Sequence, residues 1–220
     1  MYRRRFLAAS ATLATVAVAP RAVACRLFPA GVADRYVAWQ DGKAIGHQTF
    51  SFHREPGRFV VEAELDMRFT APGGAQVGYR HGSREIWDTG WLQALDSHTV
   101  IAGRRLEVHA RRESGTLMVE GSDVRSYRLS TYIVPSNLWH RDCRLVDSLI
   151  DVESGNILLV RPRFAGRESL RQSGEVVAAN HYTISGGIVR EAWYDADCAL
   201  VRWDLPLGSG DWISFRHERA

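Results

Sequence analysis

The chain has 220 residues, 45% hydrophobic and 24% charged, with 28 Lys and Arg against 25 Asp and Glu and a formal net charge of +3 at pH 7. Four of the basic residues, Arg3, Arg4, Arg5 and Arg21, lie in the first 24 positions, where no acidic residue occurs, so the remainder holds 24 basic against 25 acidic side chains. A near-neutral body without low-complexity tracts excludes a basic nucleic-acid footprint and a disordered polyelectrolyte, and it is long enough for one domain with a full core.

At the N-terminus, Arg3-Arg4-Arg5-Phe6-Leu7 precedes an uncharged Ala/Thr/Val run that ends at Ala19. This is the layout of an export signal: a basic region, a short apolar segment, and small residues Ala22-Val23-Ala24 for a peptidase. The apolar run is too short to stay in a bilayer as a spanning helix. Two arginines, one further residue, then Phe-Leu point to the twin-arginine route and its export machinery. The sequence therefore predicts a signal peptide over 1–24, a flexible mature N-terminus over 25–33, and a single β domain over 34–220 in the periplasm. Cleavage after Ala24 leaves Cys25 first, which opens a lipid anchor as the alternative. Ala22 and Arg21 stand where lipoprotein signals carry a larger aliphatic residue and no nearby charge, so the soluble form is preferred.

Strand signals follow along nearly the whole remainder. Phe59, Val61, Ala63, Leu65, Met67 and Phe69 alternate with Val60, Glu62, Glu64, Asp66 and Arg68. This period of two places one face in a core and the other in water. Turn chemistry punctuates the strands at Asp41-Gly42, Glu55-Pro56-Gly57, Ser114-Gly115 and Ser185-Gly186-Gly187, among others. After Pro135 the rhythm breaks: Ser136 can cap a helix, and Leu138, Leu145 and Leu149 recur at helical spacing. The expected fold is all-β, a large curled antiparallel meander of about eleven strands, half-barrel or barrel, with one short helical segment in or over the hollow.

The densest chemistry lies on the strand that starts at Tyr79. Alternation puts Tyr79, His81, Ser83, Glu85 and Trp87 on one face, opposite Arg80 and Arg84, so the first face is assigned to the hollow. A His and a Glu there form a polar floor for a ligand headgroup, or an acid–base pair. They can equally be structural residues with satisfied neighbours. A catalytic triad within this strand is excluded, because residues two apart stand about 7 Å from each other, and no Gly-x-Ser-x-Gly elbow occurs. The histidines match no metal-ligand spacing, and neither a metal nor a cofactor is expected. Seven tryptophans can line an apolar cavity or fill a wide core. Among them Trp139 belongs to the segment expected to plug the hollow. Cys143 and Cys198 are the cysteines well inside the domain, and an oxidising compartment permits a disulfide between them.

Trp39-Gln40-Asp41-Gly42-Lys43-Ala44-Ile45-Gly46, Tyr79-Arg80-His81-Gly82-Ser83-Arg84-Glu85-Ile86-Trp87, Pro135-Ser136-Asn137-Leu138-Trp139 and Trp193-Tyr194-Asp195 together resemble an uncharacterised family of exported proteobacterial proteins without an established activity. The architecture that this resemblance implies is similar to the lipoprotein-carrier fold of LolA and LolB, a curled sheet whose hollow takes acyl chains. The resulting expectation is a periplasmic binding or carrier module for an apolar or amphiphilic, lipid-like ligand. The expected ligand-binding residues are Tyr79, His81, Ser83, Glu85, Trp87 and Trp139. The alternatives are an envelope hydrolase using His81 or Glu85 as general acid–base, and a structural accessory protein without a ligand.

Overall fold

Alternating segments joined by tight turns pair with their neighbours in sequence, and here they do so almost without exception. The computed structural model describes residues 33–172, 174–208 and 210–218. The described strands are β1 Ala33–Gln40, β2 Lys43–Glu55, β3 Arg58–Thr70, β4 Gln76–Asp88, β5 Trp91–Ile101, β6 Arg104–Glu113, β7 Thr116–Gly121, β8 Val124–Leu129, β9 Val134–Pro135, β10 Ser148–Ile150, β11 Ile157–Gln172, β12 Glu175–Gly186, β13 Arg190–Tyr194, β14 Leu200–Pro206 and β15 Trp212–His217. They exceed the expected eleven because β7 to β10 are short strands in stretches with weak alternation.

One curled sheet holds them all in the order β8-β7-β6-β5-β4-β3-β2-β1-β15-β14-β13-β12-β11-β10-β9. Two antiparallel meanders are thus joined through the pairing of β1 with β15. The two edge strands, β8 and β9, are linked directly by residues 130–133, and β9 pairs with β10 in parallel. The alternation of β3 holds along most of its length: Phe59, Val61, Ala63, Leu65 and Met67 are buried, while Glu62, Glu64, Asp66 and Arg68 are exposed; Val60, expected to face water, is buried too, and Phe69 is half-buried. Phe59, Val61, Leu65 and Met67 each contribute about 1.5–3 kcal/mol relative to exposure.

The segment from residue 130 to 156 fills the hollow as a plug. Ser97 Oγ on β5 donates to Val152 O (2.5 Å), Tyr127 Oη on β8 to Gly155 O (2.5 Å), and Tyr194 Oη on β13 to Leu138 O (3.0 Å). The expected helical segment is much shorter than the leucine spacing suggests. Between β9 and β10 the regular structure is a single 3-10 turn, Arg141–Arg144, with the Asp142 backbone N–H donating to His140 Nδ1. The leucines do not share a face, since Leu138 and Leu149 are buried but Leu145 is 64% exposed. Leu138 also has a left-handed backbone, φ 67°, which no helix can include.

The expected Cys143–Cys198 disulfide is not formed. Cys143 is a buried free thiol that donates to Pro135 O within the plug (3.5 Å). Cys198 sits in the turn between β13 and β14, is disulfide-bonded, and accepts from an Arg144 guanidinium nitrogen at 3.2 Å. The Cys143 thiol therefore faces the plug's own backbone instead of that turn. The expected signal over 1–24 and the anchor at Cys25 lie outside the described residues. No described helix is long and apolar enough to cross a membrane.

Candidate functional site

β4 carries the site because its inward face passes beneath the plug. Register sets the neighbours: Val61 lies opposite Glu85, Leu65 opposite His81 and Met67 opposite Tyr79 on β3, with Leu95 and Thr99 opposite Glu85 and His81 on β5. Two structures result, a closed polar lock around Glu85 and an adjoining cavity around His81.

In the lock, the fully buried Glu85 carboxylate accepts hydrogen bonds only from N–H donors among the described residues. Trp87 Nε1 donates to Oε2 at 2.8 Å, Asn137 Nδ2 donates to Oε1 at 2.5 Å, and Trp139 Nε1 is shared between both oxygens at 3.1 Å. Burial pushes this carboxyl up to about 7, against the pull of the Asn137, Trp139 and Trp87 donors towards the ionised form. The indoles are themselves packed. Trp139 meets Phe52 and Trp87 edge-on, with centroids 5.8 and 5.7 Å apart, and His140 stacks on Trp87 at 4.7 Å. Leu138, held in its left-handed conformation, stands between the two residues of the plug that reach Glu85. A non-glycine residue in that region costs about 1–3 kcal/mol, a strain that recurs at functional sites.

The cavity, of about 240 Å3, opens beside Asn137 between β2, β3, β4, β14 and the plug. Leu65, Met67, Phe69, Ile101, Ile188 and Leu205 make its apolar wall. Polar groups interrupt that wall at Gln48, His81, Asn137 and Trp203, each at most 9% exposed. Gln48 Oε1, His81 Nε2, Asn137 Oδ1 and Trp203 Nε1 are buried without a hydrogen-bond partner among the described residues. Such atoms are rare in folded proteins, and each is costly. The other His81 nitrogen, Nδ1, lies 2.8 Å from Thr99 Oγ1, and burial, with a smaller effect of His98, lowers its pKa to about 4. His81 is therefore neutral at pH 7. Tyr79 Oη donates to Glu153 Oε1 (2.7 Å), and burial raises both groups above their ordinary ranges. The Arg190 guanidinium lies over the Trp203 ring at 5.9 Å and donates to Val189 O at 2.8 Å.

Of the six residues singled out from sequence, Tyr79 and His81 line the cavity, while Glu85, Trp87 and Trp139 build the lock beside it. Ser83 does neither. It is buried on the same strand face, yet it borders a separate surface depression with Ser97 and His98. Gln48, Asn137 and Arg190 escaped the sequence reading, and Trp203 figured in it only as one of seven tryptophans able to line a cavity or fill a core. Gln48 was accessible in principle, as a polar residue in phase with Phe50 and Phe52. Asn137 was hidden by the expected helix. Among the described residues, no group of three His, Cys, Asp or Glu side chains could hold a metal ion.

The chain belongs to the family described as "Domain of unknown function (DUF6134)", which matches residues 36–217. No curated protein matches it in sequence. In fold it is similar to a solved beta-barrel-like protein of the domain of unknown function DUF1849 from Brucella abortus, with a TM-score of 0.58 and 10% identity. That likeness covers 85% of this chain and 95% of the Brucella chain. At such identity it speaks for the fold alone.

Proposed function

We propose that this domain is a binding module of the cell envelope that takes a compact amphiphilic ligand in the cavity between sheet and plug. The observation that carries the reading is the convergence of four unpartnered, buried polar atoms on the wall of one cavity that also has a broad apolar lining. Ligand sites are built this way, from apolar surface with a few placed polar groups. At about 240 Å3 the cavity exceeds the roughly 150 Å3 of an apolar cavity that admits benzene. It falls below the roughly 300–1,000 Å3 of drug-sized sites. The resemblance to lipoprotein-carrier domains supports an apolar ligand, and the size favours a short chain or small ring over a whole phospholipid. Acid–base hydrolysis draws no support from the geometry, because His81 and Glu85 have separate partners and Glu85 is enclosed by the indoles and Asn137.

Isothermal titration calorimetry with 1-decanol tests the reading. Saturable binding is expected for the native chain, with at least ten-fold weaker binding for Leu65→Trp, which fills the cavity. Absence of saturable binding, or binding indifferent to Leu65→Trp, would contradict it. The envelope location rests on the N-terminal arginines. Arg3→Lys with Arg4→Lys is expected to leave the chain unprocessed and cytoplasmic; unchanged periplasmic recovery would remove the twin-arginine route.

A further inference from the structure

We infer that Glu85 sets the hydrogen-bonding sense of the cavity by deciding which end of the Asn137 amide faces it. The ionised carboxylate thereby turns an acceptor towards a bound ligand, and the protonated acid turns a donor. This deepens the binding reading and rests on it, adding a ligand preference that reverses with pH.

The donor and acceptor inventory around Glu85 compels the coupling. An ionised carboxylate can only accept, so the side of Asn137 that faces it must be Nδ2, at 2.5 Å, and Oδ1 is left on the cavity side, buried and without a partner among the described residues. A protonated carboxyl has to place one O–H. The indole nitrogens of Trp87 and Trp139 are donors only and cannot receive it. The Asn137 amide can, after a half-turn that costs almost no change of shape: Oε1–H then donates to Oδ1, and Nδ2 points to the cavity. Trp87 and Trp139 keep their bonds in both states. The lock is satisfied either way, and the difference is passed to the cavity wall.

The surroundings leave Glu85 as the group that switches. Across the ladder stand the uncharged Val61 and Leu95. From the plug, the titratable neighbours are His140, whose pKa burial lowers to about 4, and Cys143, whose thiol burial pushes up. Both are neutral where the Glu85 carboxyl, held near 7 by burial, changes state. The cavity also holds Tyr79, His81, Asp151, Glu153 and Arg190. Of these, Glu153 is raised by burial and is the competitor that a test must separate.

Three rings of nearly equal size that do not ionise between pH 5 and 9 provide the probes: indole, a hydrogen-bond donor; 1-indanone, an acceptor; and indene, which is neither. Between pH 8.5 and 5.5 the affinity ratio of indole to 1-indanone is expected to fall at least five-fold, the worth of about one hydrogen bond, with indene changing little. Glu85→Gln, whose amide can donate to Asn137 Oδ1 at every pH, should show the acid-side ratio throughout. A ratio independent of pH in the native chain, or a pH shift that survives in Glu85→Gln, would overturn the inference. If none of the probes binds at any pH, the cavity reading fails. Nuclear Overhauser contacts of the Asn137 amide protons then decide the flip by themselves. They should lie towards Trp87 Nε1–H at pH 8.5 and towards cavity methyl groups at pH 5.5, and unchanged contacts would end the proposal.

Discussion

Three buried titratable residues give the domain an expected pH profile. Glu85 has a folded-state pKa raised from 4.5 to about 7, so the folded chain binds its proton more tightly than the unfolded chain. Its stabilising effect is complete below about pH 4.5 and is lost as the pH rises through 7, by about 3 kcal/mol in all. His81 and His140 are lowered from 6.5 to about 4 by burial, so the unfolded chain takes up their protons first. Between pH 4.5 and 6.5 the two histidines outweigh the one carboxyl, so stability is expected to rise with pH and to level off near pH 7. Denaturant unfolding of Glu85→Gln should show a steeper rise between pH 4.5 and 6.5, because the carboxyl no longer offsets one of the two histidines. An acid limb equally steep in the native chain and in Glu85→Gln would show that the donors around Glu85 outweigh its burial.

Among the elements, the plug decides how much hollow remains. β7 lets it approach closely at Gly121, where a Cβ would come within 2.5 Å of Ser154 O, a backbone atom that cannot swing away. Gly121→Ala is expected to lose about 1–3 kcal/mol, as overpacked sites do. Gly78→Ala on β4, with nothing within 4 Å, should be neutral or gain about 0.5–1 kcal/mol from the lower backbone entropy of alanine. Equal thermal unfolding of the two variants would mean that the plug does not press on β7. The contrast between sheet and plug also explains what could be read from sequence. β3 was legible because water lies on one side of it and the core on the other, so its residues record their faces. The plug touches the sheet at Leu138, Val152, Ser154 and Gly155 through backbone oxygens, which leave no trace in residue identity. Its leucine spacing imitated a helix that the left-handed Leu138 interrupts. Within the site, Tyr79 and His81 were legible as polar side chains on an inward face. Asn137 and Trp203 needed the tertiary fold, because only the curl of the sheet brings β14 and the plug to the same cavity as β4.

For the whole molecule, a curled sheet with both meanders meeting at β1 and β15 leaves its two edge strands to be joined by the chain that then turns inward. The fold thus generates hollow and plug together, and the polar gaps in the packing between them are where a ligand has something to bind. Trp203 reports on that claim directly, since its indole Nε1–H is a buried donor on the cavity wall without a partner among the described residues. The decisive measurement is a 1H–15N spectrum of the indole groups during titration with 1-decanol. The account predicts a saturable shift of the Trp203 signal, with the partly exposed Trp91 and Trp212 unmoved; a Trp203 signal that stays fixed while those surface indoles shift would contradict it.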